Sequence, residues 1–160
     1  MMQPWPKCLP KFLVLAAVMP LAIAYYSQFF QGAEPCILCL YQRAPFAIVI
    51  ILGIIGILKP ELAPKTAIVA GCIFLVGAGI ASYHVGVEQH WWASAASCGG
   101  GLPDQVSVAD FQKLLTVKSA KACDEIDWAL FGISMATYNV AYSSALAVIS
   151  FVGAAHFRRA

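Results

Sequence analysis

The chain alternates long apolar runs with short polar breaks, and four of the runs are long enough to cross a bilayer. About 20 apolar residues suffice for a hydrocarbon core of roughly 30 Å. The first run extends from about Phe12 to Phe30 and follows Lys7 and Lys11. It ends in Tyr25, Tyr26, Phe29 and Phe30, the kind of aromatic belt that marks a membrane–water interface, and Pro20 predicts a kink along it. A cleaved leader ending at Ala22-Ile23-Ala24 is a competing reading of this stretch. After a polar link, Gln31 to Pro35, the second run covers Leu40 to Leu58, and Lys59 to Lys65 forms a tight turn with two prolines. The third run, Thr66 to Val87, carries Gly71, Gly77 and Gly79 with Ala70, Ala78 and Ala81, small surfaces suited to close helix contact. Cys72 lies within it and reads as a small apolar core residue. The last run, Tyr138 to Phe157, is closed by Arg158 and Arg159.

One long segment, about Glu88 to Ala136, is not a span, and loops of that length are usually functional or disordered. Trp91 and Trp92 predict an interfacial anchor at its start. Ser107 to Asp110 makes a passable capping box. It opens a stretch in which Val108, Phe111, Leu114 and Leu115 share a helical face among Lys113, Lys118 and Lys121, the pattern of a short amphipathic helix lying on the membrane. The predicted fold is therefore an all-α integral membrane protein. It is a single domain over residues 1–160, a four-helix transmembrane bundle with a short amphipathic helix in the second outer loop.

Composition agrees with this: 61% of the residues are hydrophobic and 11% charged, against roughly a quarter charged in soluble domains. Charge position says more than the net +2. With four spans, both termini share a side with Lys7, Lys11, Lys59, Lys65, Arg158 and Arg159, where Glu61 is the one acid. The opposite side holds Arg43, Lys113, Lys118 and Lys121 with seven acids. The positive-inside rule places the termini in the cytoplasm. Cys36, Cys39, Cys98 and Cys123 then face the outer, oxidising side, with Cys8 cytoplasmic and Cys72 within the bilayer. Thus four of the six cysteines sort into two outer pairs.

The pair Cys36-Ile-Leu-Cys39 stands at the mouth of the second span, where the positive end of a helix lowers a thiol pKa. If the helix already includes Cys39, Arg43 lies four residues on, on the same face, as a fixed cation beside a Cys39 thiolate. If Pro45 marks the first turn instead, the helix starts near Ala44 and that geometry is open. The second pair, Cys98 and Cys123, lies in a loop with Gly99-Gly100-Gly101. A fixed pair and a flexible pair suit electron relay by thiolate attack on a disulfide sulfur. Zinc sets favour two short-spaced pairs, whereas Cys98 and Cys123 have 24 residues between them, so no metal is expected. Electrons reaching a membrane-level pair need a lipid-soluble acceptor, and a quinone is the obvious one. No haem or flavin signature is present.

The run Pro35-Cys36-Ile-Leu-Cys39-Leu-Tyr-Gln-Arg43, then Tyr83-His84 with Glu88, then Cys98 and Cys123, resembles the disulfide bond formation protein B (DsbB) family over nearly the whole chain. The resemblance implies a bacterial inner-membrane enzyme that reoxidises a periplasmic DsbA-type thioredoxin-fold oxidase and reduces ubiquinone or menaquinone. Carried over residue by residue, it implies a Cys98–Cys123 disulfide, with Cys98 as the sulfur attacked by the partner. Cys123 then passes electrons to Cys36. Cys39 is the thiolate that contacts the quinone, with Arg43 polarising both. It also implies a quinone-adjacent histidine, for which His84 is the candidate and His90 the competitor. The lipid bilayer is a partner, and no nucleic acid is expected. Two rivals stay open. A vitamin K epoxide reductase-like thiol oxidase usually carries its active Cys-x-x-Cys after the loop cysteines, whereas here it comes before them. The other rival is a metal-handling or structural membrane protein.

Overall fold

In the computed structural model, which describes residues 5–94, 122–126 and 129–157, the four apolar runs are four helices. They are α1 (Trp5–Phe30), α2 (Ile37–Leu58), α3 (Ala63–Glu88) and α4 (Met135–Phe157). Each is long and apolar enough to cross a membrane. A 3-10 turn, Pro60–Leu62, joins α2 to α3. Before α4 a hairpin pairs β1 (Ala129–Leu130) with β2 (Ile133–Ser134), Ala129 opposite Ser134. Phe131 and Gly132 at its tip both have positive φ, 53° and 77°, as a two-residue turn of this hand requires. The expected amphipathic helix lies outside the described residues, as does Cys98.

Every helix begins earlier than the apolar run that announced it. Hydropathy counts only the lipid-crossing length, while the helices continue into polar residues near the interface. This matters most for α2, which starts at Ile37 and contains Cys39 despite Pro45. The two open starts are thereby decided in favour of the earlier one.

The helices pack as a ring in chain order, α1 on α2, α2 on α3 and α3 on α4, closed by α4 on α1. Inside lipid there is no hydrophobic gain in joining apolar helices, so close approach and polar contacts must hold them together. Gly77 lets Pro45 of α2 pack against α3, and Gly71 leaves room for Phe151 of α4. Ala70, Ala78 and Ala81 are buried, so these small residues line the interfaces as expected. Gly79 does not, because nothing stands within 4 Å of where its side chain would project. Cys72 is likewise exposed, not a core residue. Gly71 takes the inward position next to it, and an uncharged thiol tolerates the apolar outer face. The main core, including Leu13, Phe46, Val49, Phe74 and Leu146, fills the middle of the bundle. Leu15, Ile23, Ile51, Leu75 and Val148 point outward.

Candidate functional site

A second, smaller cluster lies at the end of the bundle where α2 begins. It contains Cys36, Leu38, Val87 and Cys123, with Ile37, Cys39 and Tyr83 packed against it. Cys36 is the N-cap of α2, and its sulfur accepts the Cys39 backbone N–H at 3.2 Å. A thiol here does what serine or aspartate does at other N-caps, satisfying one of the free first-turn donors. The two sulfurs lie 2.9 Å apart and share a hydrogen bond. Both thiols are free. His84, four-fifths of the way along α3, brings Nε2 to 3.6 Å from Cys36 Sγ.

These contacts converge on Cys36. The Cys39 side chain, then His84 and the Cys39 N–H, draw the Cys36 thiol down to about 4, against the opposing effect of burial. These contacts favour the ionised form of Cys36 in the reduced pair. Arg43, expected beside Cys39, donates to Gln28 Oε1 at 2.6 Å and lies 4.8 Å over the Tyr25 ring. Both partners belong to α1, so the guanidinium pins α1 to α2 beside the cysteine pair.

Behind His84 runs a chain of buried polar side chains. Gln42 Nε2 donates to His84 Nδ1 at 2.7 Å, and Asn139 Nδ2 donates to Gln42 Oε1 at 2.5 Å. Ser143 Oγ in turn donates to Asn139 Oδ1 at 2.9 Å. Every donor in the series points toward the histidine. Nδ1 is thus an acceptor, which leaves the ring proton on Nε2, aimed at the Cys36 sulfur. On its other flank His84 Nε2 is 3.8 Å from Glu88 Oε1, and Ser134 of the hairpin donates to Glu88 Oε2 at 2.5 Å. Among the described residues no buried side-chain polar atom lacks a partner. Gln42, Asn139, Ser143 and Ser134 were not singled out from the sequence. The signal was there, since isolated amides within apolar spans are costly and mark functional positions.

Cys123 is the third cysteine of the site. It is wholly buried, 0% exposed against 5% for Cys36, and it is disulfide-bonded. Its backbone also lies against His84. His90, by contrast, is an exposed residue in left-handed conformation just past α3. Trp92 stacks on Tyr83 at 5.8 Å, donates to the Tyr83 carbonyl and covers Gly86. Trp91 is exposed.

A dithiol with one sulfur ionised, packed against a cysteine already in a disulfide, is arranged for exchange between the two. Set in a bundle of four membrane-crossing helices, it makes the protein a multi-pass membrane thiol–disulfide oxidoreductase. A family model described as disulfide bond formation protein DsbB matches residues 6–153. The chain belongs to the DsbB family. A disulfide bond formation protein B of Xylella fastidiosa is 33% identical over 149 residues, covering 89% of this chain and 85% of the relative. Its namesake in Xanthomonas axonopodis pv. citri is 33% identical over 140 residues, 84% and 81% of the two chains. The Acinetobacter baumannii protein of that name is 28% identical over 136 residues, 81% and 80%.

Proposed function

We propose that the protein reoxidises a periplasmic DsbA-type dithiol oxidase and passes the electrons to a membrane quinone, ubiquinone or menaquinone. One observation carries the reading: the disulfide-bonded Cys123 is buried in the same cluster as Cys36. In the resting enzyme both pairs, Cys98–Cys123 and Cys36–Cys39, are disulfides. A thiolate of the partner attacks Cys98, forming a mixed disulfide and releasing Cys123 as a thiolate. Cys123 attacks Cys36, joining to it and releasing Cys39. The partner's second thiol displaces Cys98 and leaves the partner oxidised. Cys98 then attacks Cys123, restoring the loop disulfide and releasing Cys36. The net result is one disulfide made in the partner and one dithiol, Cys36 and Cys39, left in the enzyme.

A bound quinone supplies the two-electron acceptor that returns this dithiol to a disulfide, leaving as quinol with two electrons and two protons. The residues present fit such a ring. Cys39 is half-buried rather than enclosed, and Arg43 offers a fixed donor in the α1–α2 seam. Tyr25 under Arg43, with Phe29 stacked on it, gives that seam an exposed aromatic border. The chain's own part is to hold Cys36 ionised through His84 and to keep the sulfurs within exchange distance. The site faces the periplasm of a bacterial inner membrane, with both termini cytoplasmic.

The test combines reduced DsbA-type partner, a soluble quinone and the purified protein, following thiol loss and quinol formation together. Cys39→Ser abolishes quinol formation. Arg43→Ala slows quinone reduction and leaves partner attack on Cys98 largely intact. Equal losses in both half-reactions would refute the role of Arg43, and thiol loss without quinol would refute the acceptor. Impermeant thiol reagents acting on reduced spheroplasts test the sidedness.

A further inference from the structure

We propose that the reduced site is also a zinc site, in which Cys36 Sγ, Cys39 Sγ and His84 Nε2 together bind one Zn2+ and thereby arrest the enzyme in its dithiol state. The sequence argued against zinc because Cys98 and Cys123 are too far apart in the chain to form the second half of a set. The structure supplies a third ligand from a different helix instead. The three donor atoms lie within 4.8 Å of one another.

The geometry is close to what zinc needs. With Zn–S of about 2.3 Å and Zn–N of about 2.0–2.1 Å, tetrahedral ligands stand about 3.8 Å apart for S···S and about 3.6 Å for S···N. Cys36 Sγ and His84 Nε2 are already 3.6 Å apart. The sulfurs, at 2.9 Å, have to open by about 0.9 Å. Loss of the proton between them drives that, because two thiolates repel. A Cys-x-x-Cys at a helix start is a familiar half-site for zinc, and imidazole is a better ligand for Zn2+ than for softer Cu+. Two thiolates also neutralise the dication, as a buried site requires. Glu88 Oε1 lies 3.8 Å from Nε2, so a carboxylate borders the three donors.

The polar chain behind His84 accommodates the change. When Nε2 binds a metal, Nδ1 must carry the ring proton and find an acceptor. Rotating the Gln42 amide presents Oε1 to Nδ1–H and turns its NH2 toward Asn139. Asn139 rotates likewise and donates to Ser143 Oγ. The series Ser143–Asn139–Gln42–His84 thereby reverses direction, and the Ser143 hydroxyl turns from donor to Asn139 into acceptor from it. Binding is not a redox step: Zn2+ displaces the thiol proton that the two sulfurs share, which leaves to solvent. The bound sulfurs can then neither attack Cys123 nor join to each other.

The experiment uses the full-length protein in detergent, reduced and kept anaerobic, with and without Zn2+. Alkylation of each cysteine is followed by mass spectrometry. Zn2+ is expected to slow modification of Cys36 and Cys39 at least about tenfold, reversibly with a chelator, while Cys8 reacts as before. Protection at the same Zn2+ concentration falls about tenfold or more in His84→Ala. In Cys39→Ser it is lost at Cys36. Equal alkylation rates with and without Zn2+, or protection that survives His84→Ala undiminished, would overturn the site. The arrest rests on the proposed function and is read separately, as chelator-reversible loss of quinol formation. Absent turnover would leave the alkylation result to stand or fall on its own.

Discussion

Replacing Gln42 by leucine should move the acidity of a sulfur that Gln42 never touches. Gln42 Nε2 donates to His84 Nδ1 at 2.7 Å, and this bond fixes the ring proton on Nε2, toward Cys36. Leucine has a similar volume and no donor. The imidazole then loses the partner that selects its tautomer, and Nε2 no longer presents a proton to the thiolate at all times. A hydrogen bond to a charged group contributes about 1.5–3 kcal/mol, and one pKa unit is about 1.4 kcal/mol, so full loss raises the Cys36 thiol by about 1–2 units. Starting from about 4, Cys36 in Gln42→Leu should titrate at roughly 5–6. Gln42→Glu is the counter-test. A carboxylate accepts from Nδ1–H, favours the doubly protonated ring and leaves Cys36 at or below its original value. The assay is the pH dependence of Cys36 alkylation in the reduced, chelator-treated protein, read on the Cys36 peptide. If Gln42→Leu folds and Cys36 titrates unchanged, or if the two variants move it alike, the tautomer argument is wrong.

Other predictions concern stability and packing. Cys36 is ionised in the folded reduced protein at a pH where an unfolded thiol, at about 8.5, is not. Its contribution to stability is therefore present above pH about 8.5 and is lost as the pH falls toward 4. Thermal unfolding of the reduced protein in detergent should show this slope, and Cys36→Ser should flatten it. Ser134→Ala removes the donor to buried Glu88, which should cost about 1.5–3 kcal/mol. An unchanged midpoint would mean that another donor replaces it. Gly77→Val places a branched side chain against Pro45 and should destabilise the α2–α3 contact by about 1–3 kcal/mol. The same change at Gly79, which faces open space, should be nearly silent, so equal effects would contradict the assigned packing.

What the sequence determined by itself is whatever adds up locally. Span number follows from run length, because the cost of placing a residue in lipid is nearly independent of its neighbours. The reactive spacing of Cys36 and Cys39 is likewise written within one turn of chain. Pro45 misled only as to where α2 starts. What the sequence left open is which side of each helix turns inward. In a soluble bundle, polarity marks the outer face. Here the outer face meets lipid and is as apolar as the core, so the periodicity that would separate them is nearly absent. For that reason Cys72 and Gly79 were assigned to interfaces they do not reach, and Arg43 was aimed at Cys39 rather than at Gln28 and Tyr25 of α1. Tertiary structure alone brought His84 to Cys36 from 48 residues away and Asn139 to Gln42 from 97, and it buried Cys123 against the first pair. Such contacts arise because a lone polar group in an apolar span must find its partner on another helix, and only the assembled bundle decides which helix that is.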